Sequence, residues 1–255
     1  MNSAESFQRF EQRAEDYAKY RPRYPAALLN HWWRTLNLRV GQPVADVGSG
    51  TGIFTQLLLE RGLAVHAVEP SDAMRGAAEA ALRSFSLFVS VNGTADTTTL
   101  ASGSVEVIFC AQAFHWFNHE STRSEWRRIL RPNGFAALVW NNVDYGGAFG
   151  QKYLAVLREV GTRTREVQEA SLGAQTSNVL FPPGCAEVVK LPNEQQLDLD
   201  GFIGRTVSNS FMPKPGDARF SEMVQRLEQL FAEHQRSNLV RIGYATVAIS
   251  GQIGQ

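Results

Sequence analysis

Three short stretches of this chain carry residue types that could do chemistry. The first is Asp46-Val47-Gly48-Ser49-Gly50-Thr51-Gly52, in which three glycines alternate behind an acid. The second is Glu69-Pro70-Ser71, and the third is Ala113-Phe114-His115-Trp116-Phe117, one imidazole among aromatics. A glycine-rich loop between an apolar run and a helical pattern lets backbone N–H groups converge on a ligand. A dinucleotide fingerprint would need its third Gly or Ala at position 53, where Ile53 stands. A P-loop fails outright, because no Gly-Lys-Ser/Thr follows. Glu69 could accept both hydrogen bonds of a ribose diol, or it could cap the helix after it; the Gly loop one βα unit upstream favours the ribose. His115 is either a general base or a residue that only packs and hydrogen-bonds. His115 and His119 stand one helical turn apart with only Glu120 beside them, so no metal is expected.

Such residues need strand ends to hold them, and the pattern supplies five. Apolar runs predict strands over 43–47, 64–69, 87–91, 105–110 and 135–140. Helical periods fall between them at 53–61, 72–84 and 119–130, with Ser71 as N-cap of the second. Arg131-Pro132-Asn133-Gly134 is a turn by composition. This alternation predicts a parallel sheet covered on both faces, with ligands at the carboxyl ends of its strands. The first four strand ends are Asp46 with the Gly loop, Glu69, Thr94-Ala95-Asp96, and Ala111-Gln112 after Cys110.

Upstream, Phe7, Phe10, Ala14, Tyr17 and Ala18 predict a helix over 5–19. The segment Tyr20-Arg21-Pro22-Arg23-Tyr24-Pro25 ends it, and a helix over 25–36 follows with Leu28, Leu29, Trp32 and Trp33 on one face. The tyrosines read as packing on the body; the alternative is a lid in which they and Arg21 close over the Gly loop. Downstream of Asn142 the rhythm changes. Helices are expected at 149–160, 198–207 and 218–235, a strand or hairpin at 186–197, and a strand over 239–249. The basic run Thr162-Arg163-Thr164-Arg165 reads as a solvated face. The expected organisation is one domain in three parts: a helical lid over 1–36, a ligand-binding core over 37–142, and sheet completion with a helical cap over 143–255.

Composition narrows the function. With 255 residues, 44% of them hydrophobic, the chain can bury a full core. Lys+Arg and Asp+Glu both number 25, so no bulk field attracts nucleic acid or anionic lipid. No apolar run approaches the ~20 residues that span a bilayer, and no signal peptide is expected. The two cysteines, Cys110 and Cys185, lie far apart, which fits a reducing, cytoplasmic setting.

Asp46 to Gly52 together with Glu69-Pro70-Ser71 resembles the class I S-adenosylmethionine-dependent methyltransferases. Tyr20 to Pro25, Ala113 to Phe117, and Trp126-Arg127-Arg128-Ile129-Leu130-Arg131-Pro132-Asn133-Gly134 resemble the small-molecule branch that includes trans-aconitate methyltransferase. Ser208-Asn209-Ser210-Phe211 and Tyr244-Ala245-Thr246-Val247 are similar to that branch as well, so the likeness runs from about residue 7 to 250. The resemblance implies an α/β, doubly wound, Rossmann-like sheet of seven strands, the last antiparallel, with a helical cap. It implies S-adenosylmethionine as cofactor, with Asp46, Gly48, Ser49, Gly50, Thr51 and Gly52 around its methionine part and Glu69 and Pro70 at the ribose. Thr94 and Ala95 would lie along the adenine edge; many relatives have Asp where Thr94 stands, so the adenine amine would meet the Thr94 hydroxyl, the Ala95 backbone, or Asp96 as a substitute. Ala111, Gln112, Tyr20 and Arg21 would complete the cofactor site. Tyr17, Tyr24, His115, Trp116, Asn141 and Arg205 would line the acceptor pocket, with His115 the catalytic candidate. The expected activity is methyl transfer to an O- or N-nucleophile of a small molecule, carboxylates included, by a monomer or homodimer. The alternative is a non-catalytic cofactor-binding or metabolite-sensing protein of the same fold.

Overall fold

The computed structural model describes residues 19–161, 179–209 and 211–253. Residues 5–18 of the expected N-terminal helix, Tyr17 among them, and the 162–165 run lie outside the described residues. Pro25, with φ −65°, sets the entry to helix α1 (Ala26–Thr35), which buries Leu28, Leu29 and Trp32. Strand β1 (Pro43–Val47), helix α2 (Ile53–Glu60), strand β2 (Ala64–Val68), helix α3 (Asp72–Leu82) and strand β3 (Phe88–Val91) follow in alternation. Ser71 caps α3, its hydroxyl accepting from Met74 N–H at 3.3 Å. Strand β4 (Val105–Ala111) leads through a short 3₁₀ turn at Phe114–Trp116 into α4 (His119–Ile129) and β5 (Leu130–Val143). Then come α5 (Gly147–Val160), β6 (Ala186–Leu197), α6 (Leu199–Val207), α7 (Phe220–His234) and β7 (Val240–Gly251).

The strands form one sheet in the order β3-β2-β1-β4-β5-β7-β6. The first five are parallel, and β7 runs antiparallel to both β5 and β6. The order in which successive strands are added reverses between β1 and β4, which is where an open αβ sheet leaves a crevice beyond its strand ends. Because successive strand residues point to opposite faces, the apolar strands feed two cores. Val44, Val65, Val107, Phe109 and Val139 pack against α1, α2 and α3 on one face. Ala45, Val47, Ile108, Leu138 and Trp140 pack with Phe114, Trp126 and Ile129 on the other.

One expectation changes, and one pair of alternatives is decided. Arg131 to Gly134 is not a turn between elements but a bulge inside β5: β4 pairs Val105 with Leu130 and Val107 with Phe135, so four residues loop out, with Asn133 at φ +64°. Residues 186–197 form one long strand with no hairpin. The β6–β7 pairing runs from Ala186↔Gly251 to Leu197↔Val240, whereas β5 ends against Tyr244. The ribbon therefore projects past the carboxyl end of β5. Its projecting residues Val240 and Ile242, with Tyr244 level with the end of β5, form a third core with α5, α6 and α7. That core is the cap, standing beyond the carboxyl end of β5.

Candidate active site

The Gly loop leaves β1 at the reversal point. Gly48 and Ser49 donate their N–H groups to the Val68 carbonyl at 2.9 and 3.2 Å, which ties the loop to the end of β2. Gly48 sits at φ +74°, and a Cβ there would lie 2.6 Å from that of Ala113, so the loop and the β4 exit can approach only through glycine. Gly50 is the opposite case: a Cβ there would meet nothing within 4 Å. The loop is closed underneath and open above Gly50.

Glu69, only 8% exposed, faces this loop. One carboxylate oxygen accepts from Gly50 N–H at 2.9 Å and the other from Ser71 N–H at 3.0 Å. Burial raises its pKa, while those two N–H bonds and the Arg75 charge pull the other way. Each oxygen keeps a further lone pair for a hydroxyl donor. Asp46 is fully buried at the end of β1, and its Oδ2 accepts from the Thr55 hydroxyl at 2.6 Å. Its Oδ1 is buried with no hydrogen-bond partner among the described residues. Burial lifts this carboxyl to about 7, against the Thr55 bond and with help from the Glu69 charge. An open loop, a pre-aimed carboxylate and a buried polar atom in want of a donor make a fit for the polar ligand of a nucleoside type.

At the next strand end Thr94 donates its hydroxyl to Asp96 Oδ1 at 2.5 Å, and Ala95 is buried. The Thr94 proton is thus engaged with Asp96, whose exposed carboxylate stands at this edge. After β4, Gln112 adopts φ +59°, its N–H bonds Val139 O at 2.9 Å, and its amide reaches Asn141 O at 3.3 Å.

His115 lies beyond that turn, half-buried, its ring 4.8 Å from that of Trp116. The Trp140 indole N–H donates to His115 Nδ1 at 3.4 Å. An indole can only donate, so Nδ1 must be the lone-pair nitrogen and the neutral ring carries its proton on Nε2. Burial, with the Arg21 cation adding to it, lowers the imidazole pKa to about 4. The ring is a neutral hydrogen-bond donor at ordinary pH. His119 does something else, stacking on Phe114 at 4.9 Å.

The 20–24 segment is strapped across the carboxyl ends of β5 and β6. Arg23 O accepts from Asn141 at 3.3 Å and Asn193 at 2.7 Å, and Tyr20 O accepts from Gln195 at 2.9 Å. Arg21 donates to Ser208 O at 2.9 Å. Tyr24 packs edge-on against Phe54 of α2 at 5.0 Å. Asn141 is structural as well, since its Oδ1 accepts from Thr246 at 2.5 Å and Asn193 at 3.2 Å. Arg205 lies in α6, with Nε on the Tyr244 hydroxyl and Nη1 on Asn209 Oδ1, both at 3.0 Å.

The structure therefore brings the Gly loop, Glu69 and Asp46 together, and places His115, Arg21 and Arg205 on the cap side. Sequence reasoning did not single out Thr55, Trp140, Gln195 or Tyr153. A threonine among the leucines of α2 was the available signal for the first. The others look like ordinary strand and helix residues until their long-range partners are known.

The comparisons with known proteins agree with this fold. A family model described as a methyltransferase domain matches residues 45–138. An uncharacterized methyltransferase of Mycobacterium tuberculosis is 31% identical over 239 residues, covering 91% of this chain and 90% of the relative. A methyltransferase-like protein of Schizosaccharomyces pombe is 32% identical over 248 residues, covering 93% and 92%. Among solved structures, a protein provisionally described as a type II methyltransferase of Anaeromyxobacter dehalogenans superimposes with TM-score 0.69 at 25% identity, covering 91% of this chain and 98% of that one. A methyltransferase of Geobacter sulfurreducens, solved with S-adenosyl-L-homocysteine, shares the fold at TM-score 0.52 and 17% identity, covering 96% and 98%.

Proposed function

This chain belongs to the S-adenosylmethionine-dependent methyltransferases, and we propose that it methylates an oxygen or nitrogen of a small molecule, a carboxylate foremost. The reading places the protein near the trans-aconitate-like branch in substrate chemistry. S-adenosylmethionine supplies a methyl group activated on a sulfonium. The Gly48–Gly52 loop would hold the methionine part, Glu69 the ribose hydroxyls, and Ala95 and Asp96 the adenine edge. What remains for the protein is positioning, which can lower a displacement barrier by ~7–11 kcal/mol when the nucleophile is aligned.

The observation that supports a carboxylate is the indole hydrogen bond to His115 Nδ1. A donor at Nε2 cannot take a proton from an alcohol or ammonium, but it can orient an oxygen that is already anionic. The Arg21 cation nearby favours the same charge on the acceptor. Tyr20, Arg21 and Tyr24 would then close the site from the cap side.

Labelled methyl transfer to a set of small carboxylic acids tests the reading. Methyl esters release methanol in mild alkali, whereas methyl ethers and N-methyl groups do not. An alkali-labile product supports a carboxylate acceptor. An alkali-stable product would contradict it while leaving methyl transfer intact.

A further inference from the structure

Arg205 is 3% exposed, and none of the ion pairs among the described residues includes it. A buried guanidinium normally sits against a carboxylate, because a lone charge in the interior costs several kcal/mol. Here its hydrogen-bond partners are neutral oxygens, the Tyr244 hydroxyl and the Asn209 amide. Three tyrosines surround it electrostatically, and burial raises the pKa of both Tyr145 and Tyr153, so neither supplies a phenolate at neutral pH. Two of the five guanidinium N–H groups are engaged, and the Nη2 edge makes no hydrogen bond to the described residues.

The surroundings hold this edge in place. Tyr244 passes its own hydroxyl hydrogen to Gln195 at 2.9 Å, and Gln195 binds Tyr20 O, so the guanidinium is braced by the ribbon and the 20–24 strap together. Tyr20 lies against Gly204, the residue before Arg205. Arg21, from the same strap, donates to Ser208 O at 2.9 Å, which pins the strap to the C-terminal end of α6, the turn that carries Arg205. Arg205 thus lies on the cap side of the segment that carries His115.

We propose that Arg205 is the seat of an oxyanion carried by the methyl acceptor, a carboxylate or phosphate gripped by the free Nη2 edge of a braced, buried guanidinium. The proposal rests on the small-molecule methyltransferase reading and sharpens it: the acceptor is an acid with an anionic handle, not a neutral alcohol or amine. A planar fork suits such a group in a way that a lysine ammonium does not.

Thermal melting tests it with succinate and inorganic phosphate as probes, at constant ionic strength set by chloride. A ligand that binds only the folded protein raises its melting temperature, so tens of millimolar probe should shift wild type by ~3 °C or more. Arg205→Met should lose that shift and Arg205→Lys should retain a weakened one. The better of the two probes identifies the oxyanion class. No shift of wild type with either probe overturns the proposal, and so does an equal shift in Arg205→Met. Titration of the same wild-type sample with S-adenosylmethionine separates the two layers. Cofactor binding without an anion effect removes the oxyanion seat alone, whereas absence of cofactor binding removes the methyl-transfer reading beneath it.

Discussion

Asp46 and His115 are both held away from their ordinary protonation, and in opposite service. Asp46 is a carboxyl raised to about 7, so between its unfolded and folded pKa values the native state holds a proton that the unfolded state has released. Stability from this group therefore falls as pH rises from about 4 to 7. Asp46→Asn should remove that slope and raise stability at pH 7.5 by on the order of 2–4 kcal/mol, read as a higher denaturation midpoint, while weakening cofactor binding. A variant less stable than wild type at that pH would show that Asp46 is ionised and paired. His115, with its pKa lowered to about 4, should stay neutral across the whole working range. The pH profile of kcat/KM should then show no step near 6.5, where an ordinary histidine base would cut the rate about tenfold per unit on the acid side. His115→Gln, which keeps an N–H donor, should retain most activity, whereas His115→Phe should lose it by about 10–100-fold. Equal losses in both variants would restore the general-base role.

Among the elements, the 20–24 strap has the most specific fit. A Cβ on Gly204 would stand 2.3 Å from the Tyr20 ring, so α6 can carry the strap only while that position is bare. Gly204→Ala should displace the strap, destabilise the fold by about 1–3 kcal/mol and raise the acceptor KM more than the cofactor Kd. A variant with unchanged stability and KM would show that the strap is loosely held. How legible these elements were depends on how local their causes are. The β1–α2–β2–α3 run could be read because apolar strands, the glycine loop and the Ser71 cap are all written within a few residues. The β5 bulge could not, since Arg131 to Gly134 has turn composition and only pairing with β4 decides that the strand resumes its register. Glu69 was legible as a candidate from the Gly loop upstream, and the structure sets it against that loop, but its anchoring by Gly50 and Ser71 was not legible. The tautomer of His115 depends on Trp140, 25 residues away, and no local pattern encodes it.

Taken as a whole, the molecule joins the carboxyl ends of its parallel strands to a cap carried on the projecting β6–β7 ribbon. The switch between β1 and β4 sets the crevice proposed for the cofactor, and the ribbon sets what stands opposite it. Among the described residues no helix is long and apolar enough to cross a membrane, and equal numbers of acidic and basic residues leave the recognition of charge to individual side chains such as Arg205. The claim on which all of this depends is that the crevice above Gly50 receives S-adenosylmethionine with Glu69 on its ribose. Isothermal titration measures it directly. The account predicts binding of about micromolar affinity, ~8 kcal/mol, weakened at least about tenfold by Glu69→Ala. No heat at millimolar S-adenosylmethionine, or tighter binding of a nicotinamide dinucleotide, would contradict it.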